Sequence, residues 1–329
     1  MDLENVKFVK KMNNYLNKLD VPFDLVMFPS MGVFYPNKKQ GVLVRYLTAI
    51  EENILTAPML SSTPMALDMT LSSVIIDDDI KVDDLLIGDK NAILLFLRST
   101  SFGDEYPVFI TCPSCNQTGK TSFYISSMQA KDIYDYPDDE GLYTYIPRMK
   151  LNNQPVVIKF RPMTYGDEKF IKQQLEIEKA NPRSIPRNIT LRYSNQIVSI
   201  NGATNREIIE KFITKMPIKE SQALRDYMDK MEPGIDSKVI LHCEKCSHRF
   251  KEDFALSDQF LGLTPEYKNA LWEEIFLWYY YGKGVSRDEA FRAATAERKW
   301  AIERINEEIE RKNKAEKDAH EAANRKGKR

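Results

Sequence analysis

The four cysteines of this 329-residue chain fall into two pairs of identical spacing, Cys112-Pro-Ser-Cys115 and Cys243-Glu-Lys-Cys246. Each pair follows an apolar, β-prone run (residues 106–111 and 237–242), and a polar turn and a second strand-like run come after it. A C-x-x-C turn at the tip of a hairpin aims two thiolates at one point, and two such tips complete a tetrahedral Cys₄ zinc site. In a compact zinc ribbon the halves stand about 15–20 residues apart. Here 127 residues, 116–242, lie between them. One metal on all four thiolates would join two distant parts of the chain, which limits the fold more than any other feature.

The expected cofactor is therefore one structural Zn²⁺ held by Cys112, Cys115, Cys243 and Cys246. A redox pair is the competing reading. It wants a helix starting at the motif to lower the pKa of the first thiol, whereas Asn116-Gln-Thr-Gly119 and Ser247-His248 continue as turns. His242 and His248 flank the second pair, but Thr111 and Gln117 stand in the matching places around the first, so neither is read as a ligand.

The long spacing has an explanation in the sequence itself. Val44-Arg-Tyr-Leu-Thr48-Ala-Ile-Glu51-Glu52 and Phe160-Arg-Pro-Met-Thr164-Tyr-Gly-Asp167-Glu168 align at an offset of 116. Both read as a strand that breaks at a threonine N-cap, with an acid three residues later in the manner of a capping box. Residues 86–97 and 217–228 align at an offset of 131, and the same offset carries Cys112 onto Cys243 and Cys115 onto Cys246. The expected class is α+β: two tandem repeats of a small strand–helix–zinc-knuckle unit joined by a shared Cys₄ site, plus a C-terminal helical region.

The expected organisation is a leader and docking strap at 1–39, a first repeat at 40–128, a linker at 129–153, a second repeat at 154–260, a helical hairpin at 261–311 and a charged tail at 312–329. Residues 6–19 carry a weakly amphipathic helix pattern. Phe28-Pro-Ser-Met-Gly-Val-Phe-Tyr-Pro36 cannot be a regular helix and is read as a strap packed on the first repeat. Asp135-Tyr-Pro-Asp-Asp-Glu-Gly141 is an acidic, turn-rich boundary without the spacing of a calcium loop. Thr264-Pro265-Glu266 is an N-cap signature for a helix whose second half, through Trp278, Tyr279, Tyr280 and Tyr281, is apolar around most of its girth and so is expected to be buried on more than one side. Gly282-Lys-Gly284 stops that helix, and Ser286-Arg-Asp-Glu289 is a capping box for the next, which carries Phe291, Trp300, Ile302, Ile305 and Ile309. The tail beyond is read as either a solvated extension of that helix or disordered chain.

Little in the chain suggests catalysis. It has three histidines, His242, His248 and His320, in no arrangement with a nucleophile, and no phosphate loop or dinucleotide fingerprint. The net charge of −1 gives no global case for nucleic acid. No stretch approaches the ~18 continuous apolar residues of a membrane span. The acidic, polar N-terminus is not a signal peptide, and paired thiols kept reduced for metal fit synthesis in the cytosol.

The strap Phe28-Pro-Ser-Met-Gly-Val-Phe-Tyr-Pro36 is similar to the P-S-x-G-x-x-Y segment of baseplate hub proteins and hub assembly proteins of contractile-tailed bacteriophages. Val44-Arg-Tyr-Leu-Thr-x-x-Glu-Glu-Asn-Ile-Leu55, Asp84-Leu-Leu-Ile-Gly-Asp89, Tyr106-Pro-Val-x-x-x-Cys-Pro-x-Cys115 and Glu297-Arg-Lys-Trp300 follow in the order found in that family. The resemblance implies a structural or assembly protein without a reaction or small-molecule substrate, whose partners are other phage tail and baseplate hub proteins. It implies the host cytoplasm during assembly, and the virion tail baseplate if the chain remains there. The alternative is a zinc-ribbon nucleic-acid-binding protein of phage replication or transcription. Only Lys120, Arg249 and Lys251 stand near the tips to support it, so nucleic acid is not the expected partner.

Overall fold

A computed structural model of the protein describes residues 21–59, 64–151, 153–180, 187–254, 256 and 260–326. The helix pattern at 6–19 lies outside the described residues. Strand β1 (Phe23–Met27) pairs antiparallel with β2 (Gly41–Arg45), Phe23 opposite Arg45 and Met27 opposite Gly41. Residues read as leader thus supply a strand, and the strap is the connection of a hairpin. Ile76 N–H donates to Leu43 O, and Ile75 bridges Val44, so a third segment joins this edge.

The strap is packed, as its composition implied. Phe28, Ser30 and Tyr35 are buried. Ser30 donates to Asp89 through its backbone N–H (3.0 Å) and its Oγ (2.7 Å), and Tyr35 Oη donates to the same carboxylate at 2.7 Å. Tyr35 Oη also accepts from Leu86 N–H at 3.0 Å. Gly32 adopts φ +74°, and a Cβ there would lie 2.6 Å from Lys39 O, so both its conformation and its surroundings require glycine.

Helix α1 (Ala49–Leu55) begins at Thr48, whose capping box with Glu51 is formed, and Arg45 holds the same Glu51 carboxylate. Helices α2 (Pro64–Val74) and α3 (Ile87–Phe102) follow, and α3 leads into the hairpin β3 (Glu105–Thr111) and β4 (Thr118–Tyr124).

The next part of the chain corrects the linker reading. Within 129–153, β5 (Tyr143–Tyr145) pairs with β8 (Ile158–Phe160), which pairs with β9 (Ile197–Ile200). A short hairpin of β6 (Lys150–Leu151) and β7 (Gln154–Pro155) lies between. The acidic turn hid a three-residue strand, too short to register as an alternating pattern. Helix α4 (Tyr165–Ala180) starts at Thr164, where Asp167 Oδ2 accepts Thr164 N–H and Arg161 binds Asp167. Helices α5 (Asn188–Gln196), α6 (Arg206–Lys215) and α7 (Ile218–Met231) follow, then the hairpin β10 (Lys238–His242) and β11 (Arg249–Asp253).

One apolar cluster gathers residues from Val26 to Met128 and also takes in Tyr165, Val239 and Leu241; another gathers Tyr143 to Met231. The C-terminal region is three helices rather than a hairpin of two: α8 (Tyr267–Tyr281), α9 (Arg287–Arg292) and α10 (Thr295–Lys326). Thr264–Glu266 form a lead-in turn, with Tyr267 N–H on Thr264 O. The Ser286–Glu289 capping box is formed, but its helix ends early because Ala294 bridges Thr48 and Thr295 N–H donates to Leu47 O at 2.7 Å. Residues 312–326 continue α10 as a helix, exposed through residue 320, which matches the first of the two expected states of the tail.

The girth of α8 is a second correction. Leu271 and Ile275 are buried, whereas Trp272, Phe276, Tyr279, Tyr280 and Tyr281 are 37–63% exposed. Among the described residues, this helix is covered on the side of Leu271 and Ile275, and these aromatic side chains are left open.

Candidate metal centre and docking faces

The two cysteine loops are built alike. Asn116 N–H donates to Cys112 O and Cys112 N–H to Gln117 O; Ser247 N–H donates to Cys243 O and Cys243 N–H to His248 O. Asn116 and Ser247 both take positive φ, 54° and 58°, which turns the chain back after the second cysteine. The tips meet. All four Sγ atoms lie within 4.8 Å of one another, with Cys112–Cys246 and Cys115–Cys243 each at 3.7 Å. A tetrahedron with metal–sulfur bonds of about 2.3 Å has edges of roughly 3.8 Å, so the donor set fits a tetrahedral thiophilic ion. His242 and His248 do not join this group. His248 stacks on Phe250 at 6.0 Å.

The electrostatics agree with the geometry. Backbone N–H groups of Cys246 and Lys245 draw the Cys243 thiol down to about 7. The His248 amide favours the Cys246 thiolate too, but desolvation and the thiols of Cys115, Cys243 and Cys112 push it up to about 12. Thiols crowded at one point resist joint ionisation, and a divalent cation among them removes that resistance. The four cysteines together could bind a metal, which would supply a cross-link between the hairpins. An ion held by all four thiolates would have no open ligand position.

Two further contacts align the hairpins. Lys131 N–H donates to Gly234 O and Asp236 N–H to Gln129 O, each at 2.8 Å, so the strand leaving the first hairpin is zipped to the strand entering the second. Below the tips Tyr106 stacks on Phe260 (5.0 Å, 4°) and on Phe123 (5.4 Å), with Phe254 edge-on. Sequence spacing could not reveal this aromatic layer, because its members come from three separate segments.

Residues 31–260 match the family of T4 bacteriophage base plate proteins. The chain belongs to this family. No curated protein and no solved structure matches the chain. The matched span contains both cysteine pairs and ends before α8.

In this baseplate protein the sequence motifs become pairs of contacts. The strap and the Ile87-Gly-Asp89 segment meet at the Asp89 carboxylate, and Gly88 packs so closely that a Cβ would sit 2.2 Å from Pro233 O. Glu52, beside the capping glutamate, accepts from Arg298 Nη2 at 2.6 Å and Thr295 Oγ1 at 2.5 Å. Arg298 is 0% exposed; burial opposes its charge, but Glu52 and Glu274 outweigh that and raise its pKa. The 297–300 motif was legible as a motif, yet its role was not, since its partner lies 246 residues away. No helix among the described residues is long and apolar enough to cross a membrane.

Proposed function

We propose that this chain is a zinc-clamped component or assembly factor of the baseplate hub, docking neighbouring tail proteins and catalysing nothing. The observation that carries the reading is the convergence of Cys112, Cys115, Cys243 and Cys246 from two hairpins inside the span matched to a baseplate family. Structural Zn²⁺ is the ion this donor set favours. The chain would act in the host cytoplasm during assembly and, as a hub component, remain in the virion baseplate.

We further propose that the body is a duplication, with repeats at 40–128 and 154–260. Supporting it, Arg45–Glu51 and Arg161–Asp167 are the same ion pair at offset 116. The adjacent acids, Glu52 and Glu168, each receive a buried cation from a helix N-terminus: Arg298 in one case, Lys90 in the other, at 2.6 and 2.7 Å. Helices α3 and α7 start at offset 131, as do the cysteine loops.

Elemental analysis tests the clamp. One zinc per chain is expected, with Cys112→Ser and Cys243→Ser each losing it; full metal in Cys112→Ser would rule out a shared site. Mass spectrometry of purified particles and of tail-assembly intermediates separates a resident hub component from an assembly factor. Salt-dependent DNA or RNA binding at micromolar or tighter affinity, without tail association, would favour the zinc-ribbon alternative.

A further inference from the structure

A groove of about 390 Å³ lies between the end of α8 and the first half of α10, and of the exposed aromatic residues of α8 it takes in Tyr281. Its apolar lining includes Trp278, Tyr281, Trp300, Ile305 and Ile309. Trp300 is 66% exposed, and Trp, with Tyr and Arg, is enriched among the residues that anchor protein interfaces. The rim is unbalanced. Lys283, Arg304 and Lys312 border it, with Glu308 as the acid. Glu308 already serves Arg304 (3.5 Å) and Arg311 (2.8 Å), while Lys283 and Lys312 have no ion-pair partner among the described residues. From Trp300 to Lys312 the groove follows α10 for about three turns, roughly 18 Å at 1.5 Å per residue.

We propose that this groove receives an acidic amphipathic helix from a neighbouring baseplate protein, an inference that rests on the docking role proposed above. A cleft between two helices, three turns long and apolar at its base, takes apolar anchors at i, i+3/i+4 and i+7. The basic rim selects acids on the flanks of the incoming helix. The same charge argues against occupants from this chain. Residues 1–20 carry four lysines against three acids, and 311–320 carry four basic residues against two acids. Neither the chain's own N-terminal segment nor the tail of a second copy complements the rim.

The test uses the full-length protein and two fluorescein-labelled designed peptides of about 14 residues. Both have Leu and Phe at the anchor positions; one has Glu and the other Lys on the remaining face. The acidic peptide is expected to bind at least ten-fold more tightly than its basic counterpart in 0.15 M salt. The Lys283→Glu/Lys312→Glu double variant should reverse that preference. Trp300→Ala should weaken binding at least ten-fold while the thermal transition and metal content stay as in the parent chain. Equal binding of the two peptides, or none, overturns the proposal. So does a photocrosslinker at Ile305 that joins residues 1–20, or self-association that Trp300→Ala abolishes. Failure here is separable from failure of the hub role. A chain found in tails that ignores both peptides loses the groove and keeps the role. A chain that binds the acidic peptide but is absent from tails and their intermediates does the reverse.

Discussion

Glu232 ends α7 where it meets Gly88, and burial pushes its carboxyl up to about 7, with Arg192 favouring the charged form and Asp229 opposing it. The folded chain keeps a proton that the unfolded chain releases in the ordinary glutamate range. Stability from this group therefore falls as pH rises through that window and levels off above about 7. Glu232→Gln is expected to stabilise the protein by roughly 3 kcal/mol at alkaline pH and by nothing near about pH 4, read from urea unfolding at the two pH values. Glu51 and Asp167 have the opposite sign. Burial opposes their charges, but Arg45 and Thr48, and Arg161 and Thr164, outweigh it and lower both pKa values. Their contribution is present above the ordinary carboxylate range and is lost only as pH falls below it. Glu51→Gln and Asp167→Asn should each cost stability at neutral pH, and that cost should fade as pH falls below the ordinary carboxylate range; a cost that is the same at both pH values, read from urea unfolding, would contradict that assignment.

At the scale of elements the fold depends on two clasps, each a helix N-terminus set against a capped helix. The α10 clasp buries Arg298 and Glu52 completely, whereas the α3 clasp pairs buried Lys90 with Glu168, which remains 27% exposed. The two should respond differently to removal of one partner. Glu52→Gln leaves a buried guanidinium with Glu274 alone and should cost about 2–4 kcal/mol. Glu168→Gln, at a partly solvated acid, should cost about 1 kcal/mol or less. Chemical denaturation of both variants checks the order, and equal losses would contradict it. The caps behind these clasps, Thr48–Glu51 and Thr164–Asp167, were readable because all their partners lie within a few residues. The cysteine pairing was readable because thiol chemistry leaves few alternatives. The clasps themselves were not, since their charges pair across 78 and 246 residues. Nor was the break at Ala293–Ala294, where contact with Leu47 and Thr48 overrides a sequence that reads as one continuous helix.

For the whole molecule, the 129–131/234–236 ladder and the Tyr106 layer already align the hairpins beneath the thiols. Removing the proposed zinc should then loosen the tips rather than unfold the chain. With a chelator, hydrogen exchange should rise at residues 112–117 and 243–248 while the main thermal transition persists; loss of that transition would mean that the metal holds the fold itself.

The α10 clasp also has a consequence in time. Glu52 leaves the ribosome long before Arg298 is made, and the 246 residues between them take about 12–50 s at roughly 5–20 residues per second. Throughout that interval the carboxylate that later sits dry against Arg298 must stay hydrated, and α1 cannot settle into its final packing. The first half of the protein is thus held unfinished by its own far end, and any partner that recognises the closed body meets it only after residue 298 has been synthesised.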